Sequence, residues 1–325
     1  RLSFDADHVG SFDYAGIFME KNKCFEELNG KKKHQPPLDV DGQIDNLLKI
    51  GLSIEDKEEA KAFLNDVSYF RLIKAFSLGL KPANGNYYSG TTFNQIVDLY
   101  KFNCKFRQML FPVIERIEIN LRCRLANYFS CEYGIFGYLD KRNFENEEYY
   151  NQFYTEFKRE VDHNRQSPFV KNFLGTYTEE KIPMYAAVEL FSFGMLSKFF
   201  GNMKAKDKKA VAAAYGVKYR YLESWVRCIS YVRNICAHYG RLYNAKLAIR
   251  PLLYDEYQKM NMQNYRIFSV LLCISKLVPN DEHWNEFVYS LDDLIREHPY
   301  VELRAIEFPE NWTEFLAPAI NYAKI

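Results

Sequence analysis

Apolar residues recur at helical spacing along nearly the whole chain, and the alternation expected of half-buried strands is almost absent, which predicts an all-α fold. Gln43 to Ile50 carries this spacing and stops at Gly51. Ser53 with Asp56 reads as a capping box opening a long helix to about Lys81, its stripe running through Phe63, Val67 and Phe70 and on from Lys74 to Leu78. PANGNYYSG, residues 82–90, is a turn-rich break. Thr92 with Gln95 is a second capping box. Behind it Phe93, Ile96, Leu99, Phe102, Phe106 and Leu110 mark one face of a helix expected to bend at Pro112 and run to about Tyr133. Further helices are expected over 147–164, 185–202, 206–215 and 219–239, the last ended by Gly240 as a left-handed terminating residue. Two or three more, at about 263–277, 284–297 and 311–323, are expected in the acidic C-terminal part.

At 325 residues, with 48% hydrophobic and 17% aromatic content, the chain can bury a sizeable core. Four regions are drawn from the pattern: a vector-derived or disordered leader at 1–18 preceding Met19, an N-terminal helical region at 19–90, a helical bundle at 91–250, and an acidic C-terminal helical region at 251–325. Seven cysteines without a single CxxC pair read as free thiols in a reducing compartment. The longest apolar runs are too short to span a bilayer, so a cytoplasmic protein with no membrane partner is expected.

A formal charge of +1 does not announce a nucleic-acid binder, but the distribution of charge does point to one. Residues 201–250 hold eleven Lys or Arg against two acids, whereas residues 251–325 hold six against twelve. A basic end of this kind attracts phosphate. Most of the 25 Tyr and 26 Phe fall on apolar helix faces, with YFRL (69–72) and NYYSG (86–90) as the candidates for stacking on bases.

Within the basic region lies YVRNICAHYGRLYN, residues 231–244. Arg233, Asn234 and His238 supply a fixed positive charge for a phosphate and a group that exchanges protons near neutral pH, which is what RNA transesterification needs. The other Arg-to-His match, Arg1 to His8, lacks the polar neighbour. On a regular helix Asn234 and His238 share a face about 40° apart, while Arg233 lies about 140° from His238. Arg233 therefore joins them through a distorted helix, a long reach, or a second copy of the chain. A phosphate loop, a nucleophile elbow, an HExxH motif and a zinc-spaced quartet are all absent, so neither metal nor cofactor is expected.

Together SYFRLIKAF (68–76), FPVIERIEINLRCRLANYF (111–129) and above all RCISYVRNICAHYGRLYN (227–244) resemble the Abi-like family of bacterial abortive-infection proteins, within the HEPN superfamily (higher eukaryotes and prokaryotes nucleotide-binding). The resemblance covers about residues 35–280. It implies a HEPN-like helical bundle with additional N-terminal and C-terminal helices, and a metal-independent endoribonuclease toxin of antiviral defence. It maps the catalytic roles onto Arg233 and His238, with Asn234 as their polar companion. Tyr239 and Tyr243 stand where His and Trp are often found. With one motif per chain, a complete site is expected from a homodimer. Arg122, Arg227, Tyr239, Arg241, Asn244 and Lys246 are the expected RNA-binding residues. Two alternatives stand beside the enzyme: an RNA-binding protein that holds a structured cognate non-coding RNA with little or no cleavage, and a structural oligomer whose motif only builds the dimer seam.

Overall fold

The structure, a computed structural model, describes residues 36–83, 85–278 and 282–317. Its contacts fall into two compact units that divide between Tyr100 and Lys101. In the first, α1 (Val40–Lys49) and α2 (Lys57–Val67) pack together. Asp56 caps α2 by accepting from the amides of Glu58 and Glu59, each at 2.9 Å. Ser53 is not part of the cap, since its backbone pairs with Thr91 and Phe93 instead. The long helix expected from Ser53 to Lys81 is broken: Ser68 takes φ 65°, and a π-helical turn over Phe70–Lys74 follows. Apolar spacing survives because Leu72, Ile73 and Phe76 are buried beyond the break, as Leu64 is before it. Of the proposed stacking residues, Tyr69 and Tyr87 are buried, while Phe70 and Tyr88 are exposed.

Helix α3 (Phe93–Tyr133) begins at Thr92, whose hydroxyl accepts from Gln95 N at 3.1 Å, and continues through Pro112. After it come α4 (Glu147–His163), α5 (Pro168–Thr176), α6 (Met184–Ala187), α7 (Phe193–Asn202), α8 (Ala205–Ala213), α9 (Tyr219–Ala237), α10 (Asp255–Lys259), α11 (Ile267–Leu277), α12 (Glu282–Glu297) and α13 (Trp312–Leu316). Among the described residues there are only isolated β-bridges and no strands. The single helix expected over 185–202 is two, separated at Ser192, which caps α7. Neither α5, which opens with Ser167 and Pro168, nor the short α10 is anticipated by the apolar spacing. The leader at 1–18 and the end of the helix expected over 311–323 lie outside the described residues. No described helix is long and apolar enough to cross a membrane.

Within the second unit, an aromatic core of Phe129, Phe144, Phe153, Phe191 and Phe199 joins α3, α4 and α7. Helix α9 packs on α7, α8 and α11. Asp207 of α8, fully buried, accepts from the hydroxyls of Tyr128 at 2.8 Å and Tyr133 at 2.6 Å, which satisfies a carboxylate that would otherwise be costly to bury.

Candidate active site

Helix α9 sorts its side chains cleanly between core and solvent. Leu222, Trp225, Val226, Ile229, Val232 and Cys236 are buried. Arg220, Arg227, Asn234 and His238 are exposed, and at offsets of 7, 7 and 4 positions they fall within about 40° of their neighbours on the solvent side. Half-buried Tyr231 lies on the same stripe.

The stripe ends at a built helix terminus. His238 is the C-cap, and Tyr239 follows with φ 60°, left-handed and exposed. Gly240 N donates to Ile235 O at 2.7 Å and Tyr239 N to Cys236 O at 3.3 Å, the paired bonds of a Schellman motif. Tyr239 therefore takes the left-handed position expected of Gly240, at a cost of about 1 kcal/mol for a residue with a Cβ. Gly240 serves a different need: a Cβ there would meet Ile235 Cγ2 at 2.8 Å and Ile235 O at 3.1 Å.

Two residues of α3 brace this terminus. Arg107, buried, donates to Cys236 O at 3.3 Å, and its guanidinium lies 5.7 Å from the Tyr239 ring centre. Asn103, also buried, donates to Gly240 O at 3.4 Å and accepts from the amides of Leu242 at 2.8 Å and Tyr243 at 3.0 Å. These bonds satisfy backbone groups that a helix end leaves open, and they fix the segment carrying His238. Burial pushes the neighbouring Cys236 thiol up to about 12, despite the opposing pull of Arg107, so it is neither thiolate nor nucleophile at neutral pH.

Arg233 points elsewhere, towards α3. Its guanidinium sits 5.5 Å from the Phe111 ring centre, and Nε lies 3.6 Å from Glu118 Oε2. That Nε is buried and makes no hydrogen bond, while the side chain as a whole is 35% exposed, so part of the charged head faces solvent. Glu118 is held in turn by Arg122 Nη2 at 3.0 Å on its other oxygen. One largely buried carboxylate thus lies between two guanidiniums, and it orients Arg233 on the ring.

Arg122, expected among the RNA-binding residues, lies on α3 beside Glu118. Its guanidinium donates to the carbonyls of Val188 and Phe191 and to Glu118, and the side chain is only 13% exposed. These donors tie α3 to the turn before α7, so the guanidinium is committed to partners within the protein. Arg227 is exposed and lines a cleft with Arg220 and Arg250. Arg241 and Asn244 are half-buried in the segment that Asn103 holds, with Asn244 at φ 49°. Lys246 is exposed, its ammonium 5.9 Å from the Tyr265 ring centre.

The structure thus aligns Arg227, Asn234 and His238 on one face and leaves Arg233 around the helix, with α9 undistorted through Ala237. Sequence reasoning missed Asn103 and Arg107 as braces, and Glu118 as the partner of Arg233. The available signal was that polar residues 103 and 107 adjoin the apolar stripe Phe102, Phe106 and Leu110 at a spacing of four. Among the described residues no group of three or more His, Cys, Asp or Glu could hold a metal ion.

Residues 62–244 match the family model described as Abi-like protein. No curated protein and no solved structure matches the chain.

Proposed function

The chain belongs to the Abi-like protein family, and from that premise we propose that it is a ribonuclease of the HEPN type, acting in abortive infection by cleaving RNA without a metal ion. The observation that carries the reading is the contrast between the two motif residues: Arg233 is pre-set on Phe111 by Glu118, while His238 is exposed at a braced helix end. A fixed guanidinium stabilises charge on phosphoryl oxygens. A solvent-facing imidazole is within reach of a substrate hydroxyl and can pass a proton to or from it.

In the reaction, one imidazole takes the proton of a ribose 2'-hydroxyl as its oxygen attacks the adjacent phosphorus. The P–O5' bond breaks, and the leaving oxygen receives a proton from an imidazolium. The products are a 2',3'-cyclic phosphate and a 5'-hydroxyl, and DNA is inert because it lacks the attacking group. One chain carries a single motif histidine, and its Arg233 lies about 140° around α9 from His238, so two copies meeting across a twofold axis supply both the base and the acid. Asn234 lies beside His238 on the stripe and orients it or holds a phosphate oxygen. Tyr239, kept in a conformation glycine would adopt more cheaply, offers an exposed ring for stacking on a base.

Mixing the parent with an inactive variant tests the composite site. His238→Ala protein is expected to be essentially inactive, and a fully exchanged equimolar mixture with the parent should retain roughly a quarter of the rate of parent alone at the same total concentration, because only the quarter of dimers holding two histidines supply both base and acid. Retention of about half that rate, with exchange of chains verified by mass, would contradict a site shared between copies.

A further inference from the structure

On the same helix face as the motif, eleven positions before His238, Arg227 opens into a cleft of about 610 Å³. Its charged lining is Lys208, Arg220, Glu223, Arg227 and Arg250, with Ser224 and Tyr219 beside them, the Tyr219 hydroxyl being bonded to Arg220. The carboxylate in this lining, Glu223, is already matched: Lys208 Nζ donates to it at 2.9 Å and to Gly201 O at 2.9 Å. Ser224 is committed as well, its hydroxyl accepting from Leu252 N at 2.8 Å, which fixes the backbone leading from Arg250. Arg220, Arg227 and Arg250 remain exposed, and none forms an ion pair with a described residue. Beside them Lys246, Arg250 and Arg266 surround the Tyr265 ring at 5.9, 5.8 and 5.6 Å from its centre. Three guanidiniums share this lining with one carboxylate, which Lys208 already holds, and Glu307 reaches only the Tyr265 hydroxyl at 3.2 Å, so positive charge is in excess and a bound polyanion relieves its repulsion.

The spacing says which polyanion fits. Arg227 is about 16 Å from His238 along the helix axis, and Arg220 about 27 Å. Asn234 continues the line between them. We propose that the cleft holds backbone phosphates of a single RNA strand laid along α9, several nucleotides from the bond that is cut, and so sets the length of strand the protein grips. This assignment rests on the ribonuclease reading above and adds to it a second, non-catalytic contact region. Guanidiniums suit it because they engage phosphate oxygens in pairs while reading no base.

The test is binding in a His238→Ala background, in which the strand stays whole, by fluorescence anisotropy of labelled single-stranded RNAs of four and twelve nucleotides over a salt series. The twelve-mer is expected to bind more tightly and with a steeper dependence on salt than the four-mer. Adding Arg227→Ala and Arg250→Ala should weaken the twelve-mer about tenfold and reduce its log–log salt slope by about 1.4, or about 0.7 for each phosphate released from an arginine. Glu223→Gln, which removes the carboxylate of the lining, should act in the opposite direction and tighten the twelve-mer. If the twelve-mer binds the doubly substituted protein with unchanged affinity and slope, the cleft assignment is wrong and the activity at His238 stands. If no RNA of either length binds before the cleft is altered, the ribonuclease reading falls together with the cleft.

Discussion

His238→Ala is expected to lower the rate of RNA cleavage by roughly a hundredfold to ten-thousandfold, the usual worth of a positioned proton-transfer group, with no loss of stability. The imidazole is exposed, and the helix end that carries it is held by backbone hydrogen bonds and by Arg107 and Asn103, none of which involve its ring. Circular dichroism and thermal denaturation should therefore superimpose on those of the parent while the rate collapses. A variant that keeps more than about a third of the parent rate would remove His238 from the chemistry.

Arg122→Met should have the opposite profile. The substitution strands the carbonyls of Val188 and Phe191 and takes from Glu118 its closer guanidinium, in a setting where both Arg122 and Glu118 are 13% exposed. Removing one member of so enclosed a pair costs about 3–5 kcal/mol. For a chain of 325 residues that corresponds to a melting temperature lower by about 4–7 °C. An RNA-contacting Arg122 would instead lose RNA affinity at an unchanged melting temperature, so chemical denaturation and RNA binding on the same variant separate the two roles.

How much of this is legible in the sequence depends on the range of the interaction. The two faces of α9 follow from spacing alone, because burial of Leu222, Val226, Ile229 and Val232 forces Arg227 and Asn234 outward. Helix ends follow from spacing less well. Apolar residues continue across Ser68 and across Ser192, so periodicity reads one helix where the backbone makes two elements. The terminus at His238 misleads in a subtler way: glycine at 240 suggests a left-handed residue, yet it is the close approach to Ile235 that requires it, and Tyr239 takes the turn. The Glu118 to Arg233 contact joins helices more than a hundred positions apart in the chain, and local spacing carries no record of it. The i,i+4 pair of Glu118 and Arg122, which spacing does record, is present as a largely buried brace.

The central claim is that Arg233 and His238 break ribonucleotide linkages by attack of the 2'-hydroxyl, with no divalent ion taking part. Its most direct measurement is mass spectrometry of the products from a DNA strand carrying one internal ribonucleotide, incubated with the purified protein in excess EDTA. The predicted result is cleavage immediately 3' to that ribonucleotide, giving a 2',3'-cyclic phosphate on one fragment and a 5'-hydroxyl on the other. Cuts at deoxynucleotides, 5'-phosphate ends, or cleavage seen only once a divalent ion is restored would contradict it.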